Sequence, residues 1–331
     1  MAARAGHAGR AGYAARAGHA GRAGYAARAG CIARGGRIGR CSGSILAMLL
    51  LVDLDGVVYR GAEPVPGVAA VLAARAAAGD DVVYVTNNSM WYRADYVTRL
   101  SSMGAPVTPD RIVSSARATA LYLRDLQPPV GRVLVVGGPG LVHEIGDVGI
   151  EVVYSGDAAE RWKANGRDAA AAVGSVDAVV VGLDLDFTYA RLACAAEAVR
   201  AGARFIATNR DPIYPLEKGL MPGAGSIVSA IETASGHTPV SIGKPGPLLL
   251  EVAAHAVGGD VAAAVMIGDS VVTDVPAAHA VGARSVLMLT GITTRAQVAA
   301  LAAADRPTEI AADAAELAAA LDRLAHARPG A

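Results

Sequence analysis

From residue 49 onward, short aliphatic or β-branched runs alternate with alanine-rich stretches, and this rhythm constrains the fold more than any other feature of the chain. Strand-length runs separated by helix-length ones specify a parallel sheet with helices on both faces. Each of four runs ends in reactive residues. Leu49–Val52 leads into Asp53-Leu54-Asp55-Gly56, and Val82–Val85 leads into Thr86-Asn87-Asn88-Ser89. Val240–Ile242 leads into Gly243-Lys244-Pro245. Ala264–Ile267 leads into Gly268-Asp269-Ser270, with Asp274 five residues beyond Asp269. In an open α/β sheet, ligands bind outside the carboxyl ends of the strands. The pattern therefore delivers several carboxylates, an ammonium and a hydroxyl with amides to one edge.

Converging carboxylates repel one another and need a cation, and hard oxygen ligands select Mg²⁺ over zinc. A lysine and a hydroxyl-amide loop beside them suit a group with several anionic oxygens, a phosphoryl. With a free aspartate, these are the parts of an aspartyl-phosphate chemistry. Each piece alone has an ordinary reading: Asp-x-Asp as a turn, Thr-Asn-Asn-Ser as a helix cap, Lys-Pro and Gly-Asp-Ser as surface. Their joint occurrence, in this order and each after a strand, favours the functional one. No GxxxxGK[ST] loop occurs, and Gly138-Pro139-Gly140 fails GxGxxG because position 143 is His.

The segments DLDGVVYRG (53–61), TNNS (86–89), GKP (243–245) and GDSVVTD (268–274) resemble the four motifs of the haloacid dehalogenase-like (HAD) phosphohydrolases. The segment 207–236 resembles subclass IIA, the NagD-like, p-nitrophenylphosphatase and phosphoglycolate or pyridoxal phosphatase group. The likeness runs from about residue 49 to about 317. It implies a Rossmann-like, doubly wound parallel core with an inserted α/β cap of the C2 type. It also implies an Mg²⁺-dependent phosphatase acting on a small phosphate monoester. By this resemblance Asp53 is the nucleophile, and Asp55 protonates the leaving alkoxide and later activates water. Mg²⁺ is held by Asp53, the Asp55 carbonyl, Asp269 and Asp274. Thr86 and the amides of Asn87 and Asn88 bind phosphoryl oxygens, and Lys244 neutralises charge. Ser270 departs from the pattern, where a larger polar residue such as Arg is common.

About 150 residues separate the second and third motifs, far more than one crossover needs. Within them, Arg132–Val136, Glu151–Tyr154, Ala178–Val181 and Arg204–Ala207 read as strands, and Thr188 to about Ala201 as a helix ending at Gly202. The expected division is a tail at 1–47, a core of 48–129 plus 238–331, and a cap of 130–237. Specificity is expected from the cap, with Asp211-Pro212-Ile213-Tyr214-Pro215 as the candidate loop. Tyr214 stands where pyridoxal-phosphatase-like relatives carry a substrate-contacting His. A packed aromatic between prolines is the alternative. His143, His255 and His279 read as structural or exposed.

Composition supplies exclusions. Apolar residues make up 53% of the chain, but no run reaches the ~20 residues of a membrane helix, so a soluble protein is expected. The net charge of zero is a cancellation: residues 1–47 hold eight Arg and no acid, while the other 284 residues carry 22 bases against 30 acids. The mildly acidic folded part argues against a nucleic-acid-binding face, and none is expected there. Residues 2–28 repeat AARAGHAGRAGY with a period of 12, which has no apolar face and reads as disordered. The tail is a transit peptide, a basic arm, or an extension without a role upstream of Met48. Cys31, Cys41 and Cys194 form neither a disulfide framework nor a zinc site and fit a reducing compartment, the cytoplasm. The resemblance leaves room for a homodimer through the cap, for a phosphomutase or phosphotransferase, and for a non-catalytic phospho-ligand-binding protein.

Overall fold

The computed structural model describes residues 47–216 and 219–326, with backbone only for residues 215 and 216. The tail, Cys31 and Cys41 lie outside the described residues, apart from Ala47. Six parallel strands form the first sheet, in the order Glu309–Ala311, Arg284–Met288, Val265–Gly268, Leu49–Val52, Asp81–Thr86 and Ile112–Ser114. The two strands that carry the Asp-x-Asp and Gly-Asp-Ser motifs are adjacent, with Val52 beside Ile267. The strand that carries Thr86 lies on the other side of the first, with Val52 beside Tyr84.

Both faces of this sheet are apolar, as a parallel sheet covered by helices requires. Leu50, Val52, Tyr84, Val265 and Ile267 pack on one face with Leu72, Leu100 and Leu321. Leu51, Val83, Val85 and Met266 point the other way, and their layer continues without a break into Val133, Val135, Val180 and Ile206 of a second sheet. The helices Ser115–Asp125, Pro139–Gly146 and Leu248–Ala256 supply the residues between the two sheets.

The second sheet has five parallel strands: Val240–Ser241, Arg204–Ala207, Ala178–Val181, Arg132–Val136 and Glu151–Tyr154. The four strands expected inside the insertion form as read. The helix Tyr189–Arg200 forms too, capped by the Thr188 side chain on the Arg191 amide.

One expectation is corrected. The strand before Lys244 does not join the first sheet beside the other three motif strands. It pairs with Arg204–Ala207 at the edge of the second sheet, so that sheet extends past residue 237. The reason lies in hydrogen bonding, because the Ile242 and Gly243 amides find the Ala207 and Thr208 carbonyls at 2.9 and 2.8 Å. Gly138-Pro139-Gly140 also acquires a role. Pro139 opens the helix Pro139–Gly146, and a Cβ on Gly140 would run into the Met90–Trp91 backbone. The glycines thus admit the loop that follows Thr-Asn-Asn-Ser. No helix among the described residues is long and apolar enough to cross a membrane.

Candidate active site

The strand Leu49–Val52 ends at Asp53, whose amide donates to the Ile267 carbonyl at 2.8 Å and so continues the ladder one residue further. The turn beyond it needs Gly56 at φ 78°, a conformation that L side chains avoid. A Cβ there would also overlap the Asp269 carboxylate. On the neighbouring strand, the Asp269 and Ser270 amides both donate to Asp274 Oδ2 at 3.0 Å. Ser270, the departure from the motif, accepts from the Val272 and Thr273 amides and so caps this turn.

These turns bring Asp53, Asp269 and Asp274 together, with ligand oxygens all within 4.8 Å of one another. Lys244 reaches in from the second sheet. Its Nζ lies 2.6 Å from Asp53 Oδ1 and 2.7 Å from Asp274 Oδ1. All four residues are between 2% and 8% exposed, so their charges interact in a poorly solvated setting. Burial opposes the Lys244 charge, but Asp274 and Asp53 outweigh it and hold the ammonium above its ordinary pKa. Burial pushes the Asp53 carboxyl well up, Lys244 draws it down, and Asp274 and Asp269 raise it again. Burial and Asp274 push Asp269 up to about 6, against the Ile292 amide that donates to its Oδ2 at 2.8 Å. Three buried carboxylates share one ammonium. Such a set lacks positive charge, and its all-oxygen donors fit a hard divalent cation.

Asp55 stands apart from the three-carboxylate group. It meets solvent, yet the protein crowded around it raises its pKa, with Arg99 and Lys244 opposing the rise. The Arg99 guanidinium carbon lies 3.6 Å above the Tyr59 ring and 5.3 Å from that of Trp91, and Arg99 donates to the Gly61 carbonyl.

Thr86 is buried and accepts the Asn88 amide at 3.2 Å, while Asn88 Oδ1 takes the Met90 amide. Asn87 turns its side chain to Lys244 and to Asp211 rather than leaving its loop free. Tyr214 is half-buried on an antiparallel hairpin, Ile213–Leu216 against Gly219–Pro222. Burial and Asp55 push the Tyr59 phenol up, and the Tyr214 phenol adds to that shift. His143, His255 and His279 are exposed and none belongs to the site.

A family profile described as haloacid dehalogenase-like hydrolase matches residues 50–151, and a HAD-hydrolase-like profile matches 241–317. The chain is 36% identical over 264 residues to the D-glycerol 3-phosphate phosphatase of Mycobacterium tuberculosis, covering 80% of this chain and 69% of that protein. The chain belongs to the haloacid dehalogenase-like hydrolases.

Solved HAD structures agree in fold. The p-nitrophenyl phosphatase from Archaeoglobus fulgidus superposes with a TM-score of 0.72 at 29% identity, covering 83% of this chain and 99% of that one. A glycerol phosphate phosphatase from Mycobacterium tuberculosis, solved with magnesium, gives 0.70 at 34% identity over 83% and 78%. These neighbours support subclass IIA, as the sequence resemblance implied.

Some HAD-site groups escape the motif reading. Asn209 follows the strand Arg204–Ala207, so the carboxyl-end rule applied to a fifth strand would have found it, while Asp211, on the candidate specificity loop, turns to Asn87 instead. Gly291 follows the strand Arg284–Met288, and a Cβ on it would overlap Asp269. The Ile292 amide is a backbone donor, for which residue type carries no signal.

Proposed function

We propose that this HAD chain is a phosphatase that hydrolyses a small phosphate monoester through a phospho-aspartate on Asp53, with Mg²⁺ as its metal. The observation that carries this reading is the placement of the Lys244 ammonium between Asp53 and Asp274, with Asp269 completing a buried three-carboxylate group. The phosphatases among its relatives and the magnesium in one neighbour support it.

Asp53, Asp269 and Asp274, with the Asp55 carbonyl, would hold Mg²⁺, which supplies positive charge between nucleophile and phosphate and so allows two anions to approach. An Asp53 carboxylate oxygen attacks phosphorus, and the ester P–O bond breaks. Asp55 gives its proton to the departing oxygen, a role favoured by its raised pKa. In the second half, Asp55 takes a proton from water, the water oxygen attacks phosphorus, and the Asp53–phosphorus bond breaks to release phosphate. Lys244 and the Thr86-Asn87-Asn88 loop stabilise charge on the phosphoryl oxygens.

Residues 130–237, extended by Val240–Ser241, are the cap in this reading, and the hairpin with Tyr214 contacts the leaving group. Cytoplasmic location and a homodimer through the cap complete the proposal, tested by fractionation and by sedimentation of the purified protein.

The decisive measurement is phosphate release from p-nitrophenyl phosphate and a panel of phosphorylated metabolites, with Mg²⁺ and with EDTA. Acid-quenched enzyme is then treated with borohydride and Asp53 examined by mass spectrometry. Mg²⁺-dependent release with reduction at Asp53 is expected. Turnover that leaves Asp53 unmodified in the quenched enzyme would overturn the covalent route.

A further inference from the structure

Asn87 makes contacts that the phosphate-binding role of its loop does not use. Its Oδ1 accepts the Lys244 amide at 2.8 Å, and its Nδ2 donates to the Lys244 carbonyl at 2.9 Å. One carboxamide thus grips both main-chain polar groups of the lysine. Nδ2 also faces both Asp211 oxygens, at 3.2 and 3.1 Å. The main chain of Asn87 is held as well, its carbonyl accepting from Ser115 Oγ at 2.6 Å and Asn209 Nδ2 at 2.7 Å. Asp211 is anchored in turn: its amide donates to Asn209 Oδ1, and its carbonyl accepts from Gly225. A Cβ on Gly243 would stand 2.7 Å from Asn87 Oδ1, so the residue before the lysine is small enough for this approach.

We propose that Asn87 is a positioning residue for Lys244, and that Asp211, three residues before Tyr214 in the cap segment, locks the carboxamide in the orientation that does so. The logic is one of donors and acceptors. A carboxamide can rotate to exchange its oxygen and nitrogen, which would set an N–H against the Lys244 N–H. Burial raises the pKa of the Asp211 carboxyl, while its hydrogen bond from Asn87 and the Lys244 charge favour the ionised form. In that form Asp211 only accepts, so it admits only the NH₂ group toward it and leaves Oδ1 for the lysine amide. The cap thereby helps to fix where the ammonium stands beside Asp53 and Asp274. This inference rests on the phosphatase reading for its effect on rate, but not for its effect on the lysine's main chain.

A displacement of about 1 Å in a charged group costs on the order of 100-fold in rate. Asn87→Ala is therefore expected to lower kcat on p-nitrophenyl phosphate by about 100-fold with KM changed less than about threefold, and Asp211→Ala by about tenfold with the same split. The Lys244 amide should exchange with deuterium at least about tenfold faster in both variants. The exchanged pair Asn87→Asp with Asp211→Asn restores the contact between these two residues but not the donor to the Lys244 carbonyl. It should recover the melting temperature to within about 3 °C while kcat stays low.

Three results overturn the proposal: unchanged amide exchange, a KM that rises at constant kcat, or an exchanged pair that recovers kcat together with stability. Absence of turnover in the wild-type chain would instead sink the phosphatase reading, and amide exchange would still judge the clamp.

Discussion

Lys244 Nζ and Asp53 Oδ1 stand 2.6 Å apart in space and 191 residues apart in sequence. They arrive from different sheets, the aspartate at the end of Leu49–Val52 and the lysine after Val240–Ser241. The candidate site therefore exists only when the two sheets are joined. The apolar layer that runs from Leu51 and Val83 to Val135 and Val180 joins them.

Asp53→Asn removes charge and nucleophilicity while keeping volume. Knockout of a catalytic nucleophile costs on the order of 10⁶ in kcat in well-studied hydrolases, and a comparable loss is expected here. Circular dichroism should match the wild type. Retention of more than about a tenth of the activity would exclude the covalent mechanism.

Asp269 gives a prediction with a definite sign. Its carboxyl is pushed up from 3.8 to about 6 in the metal-free fold. An acid with a raised folded pKa binds its proton more tightly in the native state, so stability falls as pH rises from about 4 to about 6. Asp269→Asn should consequently stabilise the metal-free protein at pH 8 by on the order of 2–3 kcal/mol, and the gain should vanish below about pH 4. Millimolar Mg²⁺ should reverse the order, since only the wild type gains binding energy, by about 1.4 kcal/mol per tenfold excess over Kd. Thermal melts at pH 5 and 8 with and without Mg²⁺ measure all of this. A variant that melts below wild type in EDTA at pH 8 would contradict it.

The motif residues were legible because chemistry at the carboxyl end of a strand is a local pattern. Asp53, Thr86 and Asp269 need only a strand to be recognised before them. Pairing between distant strands is not written locally. Val240–Ser241 reads like the other motif strands, and only its carbonyl partners at Ala207 and Thr208 decide that it joins the second sheet. Asn87 shows the same limit within the site. Its residue type suggests a loop amide or a cap, whereas its side-chain partners lie 124 and 157 residues away. The Ile292 amide on Asp269 has no signature at all, because every non-proline residue carries that donor.

Gly291→Ala tests how tightly the candidate metal-binding carboxylates are packed. The added Cβ would overlap Asp269, which is already held by the Ile292 amide. Overpacking of this kind costs about 1–3 kcal/mol, and the carboxylate must move to relieve it. Expected outcomes are a lower melting temperature and a smaller stabilisation by Mg²⁺. An unaltered Mg²⁺-induced shift would mean that Asp269 is free to adjust.

Glu144, on the helix Pro139–Gly146, is fully buried and accepts from the Arg93 amide at 3.2 Å and from its guanidinium at 2.6 Å, with Arg117 3.5 Å away. Removing one partner of a buried pair leaves a charge without compensation, at a cost of about 3–5 kcal/mol. Because Arg117 remains, Arg93→Ala is expected at the lower end, near 3 kcal/mol in urea unfolding. Loss of less than about 0.5 kcal/mol would show that the contact between the two parts of the fold does not depend on this pair.

Tyr214→His should change preference among phosphate esters more than it lowers turnover of p-nitrophenyl phosphate. The groups proposed to handle the phosphoryl, Asp53, Thr86, Lys244 and Asp269, all lie on other segments, and Tyr214 stands on the hairpin proposed to contact the leaving group. A phenol there offers one neutral donor. An imidazole is partly cationic near neutral pH and so favours a leaving group that carries its own negative charge. One such contact is worth roughly 1–3 kcal/mol, or about 10- to 200-fold in relative kcat/KM. The ratio of kcat/KM for phosphoglycolate to that for p-nitrophenyl phosphate, measured in both proteins at pH 6 and 8, reads this directly. The gain should be larger at pH 6, where the imidazole is more fully protonated. An unchanged ratio at both values would assign Tyr214 to packing on its hairpin and leave recognition of the leaving group to other residues.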